Sequence, residues 1–315
     1  MEGLDKPRIV AIGGPTASGK TALSVKLALE FQGEIISADS MQIYRGLDVG
    51  TAKVTPEETQ GVPHHLVDIV GPEQSFSVAD YVQAARACAE QIAQRGNLPF
   101  VVGGTGLYLS SLLNGIQFTP HKPTTEVRAT LEQELAEKGR EALYEELCRL
   151  DPEGAACVHP NNTPRLLRAL ELYRTTGRTM SQQKAASRPQ TPPYHALLLI
   201  LNDPDREALY RRIDSRVDRM VEQGLLEEAH RVWQNRECWH TAAQAIGYKE
   251  LFPYFEREAE LGPCLNDLKQ ASRRYAKRQL TWFRRMEGAH WLDVSDPETQ
   301  AKARQLVECF LNGEL

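Results

Sequence analysis

Residues 8–28 constrain the chain more than any other stretch. Arg8-Ile9-Val10-Ala11-Ile12 is an apolar run of strand character, and Ala22 to Ala28 has helical apolar spacing. Between them lies Gly14-Pro15-Thr16-Ala17-Ser18-Gly19-Lys20-Thr21. Gly, four residues, then Gly-Lys-Thr is the spacing of a phosphate-binding loop. Strand, turn and helix in that order aim several backbone N–H groups at one spot at a helix N-terminus. That spot attracts a diphosphate or triphosphate. Lys20 adds a point charge, and the Thr21 hydroxyl can hold Mg²⁺. The loop alone does not choose between ATP and another phosphate ligand.

The chain beyond the loop predicts an α/β fold. Strand candidates are 8–12, Glu34-Ile35-Ile36-Ser37, Leu66-Val67-Asp68-Ile69 and 98–102; helix candidates are 20–31, 77–95 and 105–113. Such alternation predicts a parallel sheet covered by helices, with ligands at the carboxyl ends of the strands. The character changes near Pro120-His121-Lys122-Pro123. From 124 to about 186 there is no strand signal, and 126–138 and 163–175 read as amphipathic helices. Arg188-Pro189-Gln190-Thr191-Pro192-Pro193 breaks the chain, and the apolar run 194–201 should rejoin the sheet. The expected organisation is a P-loop nucleotide-kinase-like core, 1–121 with 191–315, carrying an all-helical insertion over 122–190. Trp291-Leu292-Asp293-Val294 is a last strand candidate.

The rest of the composition narrows the class. The longest apolar run, 196–201, is far too short to cross a bilayer. Met1 to Lys6 lacks the layout of a signal peptide. Six scattered cysteines without a Cys-x-x-Cys pair argue against zinc and against a disulfide framework. A reduced, cytoplasmic protein is expected, with a monomer as its working form. A net charge of −5 gives no general affinity for nucleic acid, so any such affinity must come from local patches.

Three further segments offer chemistry. Asp39, in Ala38-Asp39-Ser40-Met41-Gln42, comes directly after the second strand and emerges at the sheet edge that holds the loop. A carboxylate there can hold Mg²⁺-bound water or take a substrate proton. The fourth strand ends in Gly103-Gly104-Thr105-Gly106, where glycines admit a close ligand and Thr105 can bond a phosphate oxygen or steer a carboxylate. Between 267 and 285, seven cations (269, 273, 274, 277, 278, 284, 285) face one acid, with Tyr275, Trp282 and Phe283 interleaved. Such a stripe, Arg274 and Arg278 on one face, suits a phosphate backbone or a solvated helix face. His64-His65 is half a metal site with no third ligand nearby and reads as structural. Asp68 and Asp203 come after apolar runs and keep an acidic metal residue possible.

Taken together, these blocks resemble the tRNA dimethylallyltransferases, in their bacterial form. The resemblance rests on 14–21, Ser37 to Arg45, Thr51-Ala52-Lys53, His64-His65-Leu66-Val67-Asp68, 103–108 and Ala245-Ile246-Gly247-Tyr248-Lys249-Glu250. It implies transfer of a dimethylallyl group from dimethylallyl diphosphate to N6 of the adenosine 3′ of the anticodon, position 37, without ATP. It gives residues 14–21 to the diphosphate, Mg²⁺ to Thr21, and general-base duty to Asp39 with Thr105 in support. It implies that Asp39, Ser40, Met41, Gln42 and Thr105 meet the target nucleotide. Arg128, Thr163, Pro164, Arg165, Leu166 and Leu167, with Gln244, Ala245, Ile246, Gly247, Tyr248 and Lys249, would meet the rest of the anticodon loop. The segment 161–168 departs from the family pattern: it reads Asn-Asn-Thr-Pro-Arg where Pro-Gln-Arg is usual, keeping Arg165. Competing functions are an adenylate isopentenyltransferase, an ATP-dependent small-molecule kinase and a non-catalytic RNA- or nucleotide-binding module.

Overall fold

The computed structural model describes residues 6–118, 125–187 and 189–315. The expected break at 120–123, and Arg188, lie outside the described residues. The chain divides into two compact units, Met1–Leu113 with Pro192–Leu315, and Asn114–Thr191.

The first unit is built on a parallel sheet of six strands among the described residues: β1 Arg8–Gly13, β2 Gly33–Ser37, β3 His64–His65, β4 Leu98–Gly103, β5 His195–Asn202 and β6 Ala289–Asp293. Their order is β3-β2-β4-β1-β5-β6. Ile9 to Ile12 are fully buried because β1 lies between β4 and β5 with both faces covered, which is why these strands read as continuous apolar runs. One face packs Val10, Ile12, Phe100 and Leu199 against the Lys20–Glu30 helix and Phe310.

Register sets what the sheet presents. Gly13 pairs with Gly103, and Ser37 with Val102. The turns after β1, β4 and β2 therefore leave the sheet at one edge. The β1 chain crosses over β4 to reach β2, so this edge is also where a ligand crevice opens.

The third strand is shorter than its apolar pattern predicts and lies one step earlier. Leu66 and Asp68 have φ of 60° and 56°, which no strand tolerates. The segment is a turn instead, because Arg45 donates to the Asp68 and Ile69 carbonyls and Lys53 bonds the Asp68 carboxylate. The two histidines serve structure: His65 Nε2 lies 2.6 Å from the buried Glu34 carboxylate, and His64 Nδ1 2.8 Å from the Val62 carbonyl. Bonds from Arg95 lead in holding Glu34 at a pKa of about 2.

The second unit is helical among its described residues. The stretch Thr125–Leu150 breaks at Gly139 (φ 80°, ψ 167°), and Thr163–Thr176 is capped by Asn162 and ends at the left-handed Gly177. Leu131, Leu147, Leu166 and Leu170 form its core. Arg174 bridges Glu134 and Glu146 across its helices.

Candidate active site

A cavity of about 840 Å³ opens at the sheet edge where β1, β2 and β4 end. Thr16 to Thr21 border it; Gly14 and Pro15 are buried beneath the loop. The loop turns through two left-handed residues, Ala17 (φ 60°) and Gly19 (φ 79°). Gly19 starts the Lys20–Glu30 helix with no side-chain cap, so the first-turn N–H groups remain available to an anion. Ser18 is buried and its hydroxyl has no hydrogen-bond partner among the described residues. Lys20 Nζ donates to the Pro15 carbonyl at 2.7 Å and so folds over its own loop. Burial, with Arg216 second, lowers the Lys20 ammonium to about 7; Asp39 opposes the shift.

Asp39 borders the same cavity. Its Oδ1 accepts the Met41 N–H at 2.9 Å, which fixes the carboxylate in a local turn. This turn is stitched to the end of β4. Ala38 N–H donates to the Val102 carbonyl at 2.7 Å, Thr105 N–H to the Ala38 carbonyl at 3.1 Å, and Ser40 N–H to Thr105 Oγ1 at 3.1 Å. A Cβ on Gly103 would lie 2.1 Å from the Ala38 carbonyl oxygen, so only glycine lets the two backbones meet. Gly103 and Gly104 line the cavity wall, and the Thr105 hydroxyl is tied to Ser40. Gln42 is engaged within the wall: Ser37 Oγ donates to its Oε1, and its Nε2 donates to the Thr51 and Ala52 carbonyls.

The opposite wall is cationic. The Arg206–Glu222 helix presents Arg212, Arg216 and Arg219 at i, i+4 and i+7 to the cavity. Arg212 Nε donates to the Ala17 carbonyl at 3.2 Å, and its guanidinium pairs with the buried Asp203 at 2.7 Å, so one arginine pins the loop. Burial lowers Arg216, and the nearby Asp39 charge works against that. Sequence reasoning missed all three; their helical spacing just after β5 was the available signal. The Leu261–Phe283 helix adds Tyr275, Arg278 and Gln279. Burial, then the Asp39 charge, raises the Tyr275 phenol to about 12.

This arrangement sets an uncapped helix N-terminus and a ring of cations against one carboxylate. The IPP transferase family profile matches residues 42–286, and the isopentenyl transferase profile residues 7–69. A tRNA dimethylallyltransferase of Bacillus velezensis is 48% identical over 306 residues, 97% of each chain. The chain belongs to this family of tRNA-modifying prenyltransferases. The crystal structure of the tRNA isopentenylpyrophosphate transferase of Bacillus halodurans is similar with a TM-score of 0.73, 42% identity and 98% of each chain covered. A eukaryotic dimethylallyltransferase acting on tRNA is similar with a TM-score of 0.82 and 31% identity, over 97% of this chain and 80% of that one. The core, a P-loop-type parallel sheet, is shared with these structures. The family supports the tRNA reading over the free-nucleotide and kinase readings.

The other candidate RNA contacts of the family pattern fall into two classes. Ser40, Met41, Gln42, Gln244, Ile246, Gly247 and Lys249 border the cavity. The side chains of Ala245 and Tyr248 are buried, as are those of Leu166 and Leu167 in the second unit. Tyr248 donates to Glu228 at 2.8 Å. That buried carboxylate also accepts the N–H groups of Asp48, Val49 and Gly50 at 2.7–3.0 Å. It thereby holds two cavity walls together. Thr163, Pro164 and Arg165 form the open first turn of their helix, and Arg128 pairs with Glu132 at 2.7 Å. The basic stripe divides as well. Arg273 and Lys269 are spent on Asp214 and Asp218 of the neighbouring helix, whereas Arg274 is exposed and Arg278 borders the cavity.

The donors suit a hard cation. The Thr21 hydroxyl and the Asp39 carboxylate border one cavity, and both are oxygen ligands of the kind Mg²⁺ takes beside substrate phosphates. Asp203 and Asp68 are committed elsewhere, to Arg212 and Lys53.

Proposed function

We propose that this chain transfers a dimethylallyl group from dimethylallyl diphosphate to N6 of adenosine 37 in the tRNA anticodon loop, releasing diphosphate. Family membership supports the reaction class. One observation supports the residue roles: the phosphate loop and Asp39 border the same cavity, with Lys20 and Arg216 both close enough to feel the Asp39 charge.

The loop N–H groups of residues 17–21 hold the diphosphate, with Lys20 and Arg216 as its cations and the Thr16 N–H engaged by Gln279. The C1–O bond to the diphosphate breaks as N6 bonds C1. Asp39 receives the N6 proton, and the charge left on the diphosphate falls on the cradle. An exocyclic adenine amine is a weak nucleophile, so alignment by the Asp39-Ser40-Met41 turn counts for more than basicity. Thr105 orients that turn through Ser40. Thr21 would hold Mg²⁺, which would supply charge neutralisation at the leaving group. The adenine must leave its stack to reach Asp39. A cytoplasmic monomer is the working form in this reading.

The test is incubation with Mg²⁺, labelled dimethylallyl diphosphate and unmodified tRNA, with AMP as the competing acceptor. Label on one anticodon-loop adenosine and none on AMP is expected. Label on AMP alone would move the protein to the free-nucleotide reading.

A further inference from the structure

We propose that Gln279 is a positioning residue that locks the diphosphate loop to the Gly103–Gly104 wall, so that the two grip the prenyl donor as one piece. The inference rests on the diphosphate reading of the loop. It assigns a role to a helix that the sequence singles out only for its surface cations.

Strand pairing ends at Gly13 and Gly103. Beyond that pair the two chains leave the sheet as separate turns. Gln279 reaches between them from the Leu261–Phe283 helix. Its Oε1 accepts the Thr16 N–H at 2.9 Å, and its Nε2 donates to the Gly104 carbonyl at 3.0 Å. The side chain is buried, and its bond to Gly104 is shielded from water, while the bond to Thr16 lies at the cavity edge. The amide also packs hard against the wall. A Cβ on Gly104 would lie 2.1 Å from Nε2, with the next contact at 3.4 Å, again on Gln279.

The chemistry of the amide is specific. Thr16 offers a donor and Gly104 an acceptor, and only a side chain carrying both groups at this reach satisfies them together. A carboxylate would keep the first bond, lose the second and add negative charge beside the anion cradle. A hydrocarbon would leave both backbone groups buried and unpaired, and the loop would relax to find partners.

The test uses the full-length protein and inorganic diphosphate with Mg²⁺, read by calorimetry, beside the KM values for dimethylallyl diphosphate and tRNA. Gln279→Leu is expected to weaken diphosphate binding and raise the donor KM by roughly tenfold or more, with the tRNA KM within about twofold. Gln279→Glu is expected to be worse. Gly104→Ala should weaken diphosphate binding alone, yet add nothing in a Gln279→Ala background, because its obstacle is then gone. Lys20→Met serves as the reference. If it leaves diphosphate binding unchanged, the loop assignment itself fails. If Lys20→Met weakens binding while Gln279→Leu does not, or if Gly104→Ala and Gln279→Ala act additively, the brace is refuted. Equal loss of tRNA and diphosphate affinity in Gln279→Leu also refutes it.

Discussion

Lys20 makes diphosphate binding sensitive to pH in a direction opposite to that of the ligand. In the free protein its ammonium sits near 7 because burial and Arg216 disfavour the charge. A bound diphosphate restores it, so above pH 7 binding must take up a proton. With a free-state pKa of about 7 and a charged bound state, affinity falls about 16-fold between about pH 7 and about pH 8.5. The same argument gives an uptake of about 0.9 proton per site at about pH 8. Diphosphate itself loses protons over this range, so the wild-type constant must be divided by that of Lys20→Met, which keeps the ligand's titration and removes the lysine's. Calorimetry at constant ionic strength, in buffers of different ionisation enthalpy, measures both the ratio and the proton count. A ratio that stays flat with pH, with no uptake beyond the Lys20→Met background, would refute the account.

Three other outcomes are expected. Asp39→Ala should cut turnover by roughly 10²–10⁴-fold while tRNA affinity stays within about twofold, measured by single-turnover kinetics and filter binding; a loss confined to binding would remove its role as base. Glu228→Ala should cost roughly 3 kcal/mol in urea unfolding, since it strands three loop N–H groups and the Tyr248 hydroxyl without their carboxylate acceptor. Arg274→Ala and Arg278→Ala should each lower the slope of log K against log salt for tRNA by roughly 0.7, whereas Arg273→Ala, already paired to Asp214, should leave the slope alone.

Much of the fold can be read directly from residue patterns where local and global preferences agree. β1, β4 and β5 are apolar runs because they are buried on both faces, and the helices at 78–94 and 163–176 carry their own caps. The turn at 66–69 is not legible in this way. Its residues are apolar enough for a strand, and the left-handed backbone comes from Arg45 and Lys53, distant in sequence. The site divides along the same line. Residues 14–21, Asp39 and Thr105 announce themselves because glycine spacing and strand ends constrain the backbone. Arg216, Gln279 and Glu228 do not, since each sits in a helix whose polar pattern resembles an ordinary solvated face. Burial of Leu166, Leu167, Ala245 and Tyr248 is likewise not legible in their family blocks, where they stand beside exposed neighbours.

The strand order has a geometric consequence for the proposed chemistry. Asp39 grows from β2 and the anion loop from β1, with β4 between them. Two strand spacings set their roots roughly 10 Å apart. That gauge leaves length for a phosphate pair and the first carbon of the donor before the acceptor nitrogen is reached. A carboxylate rooted one strand nearer would lie against the phosphates, repelling the donor instead of relieving the acceptor of its proton.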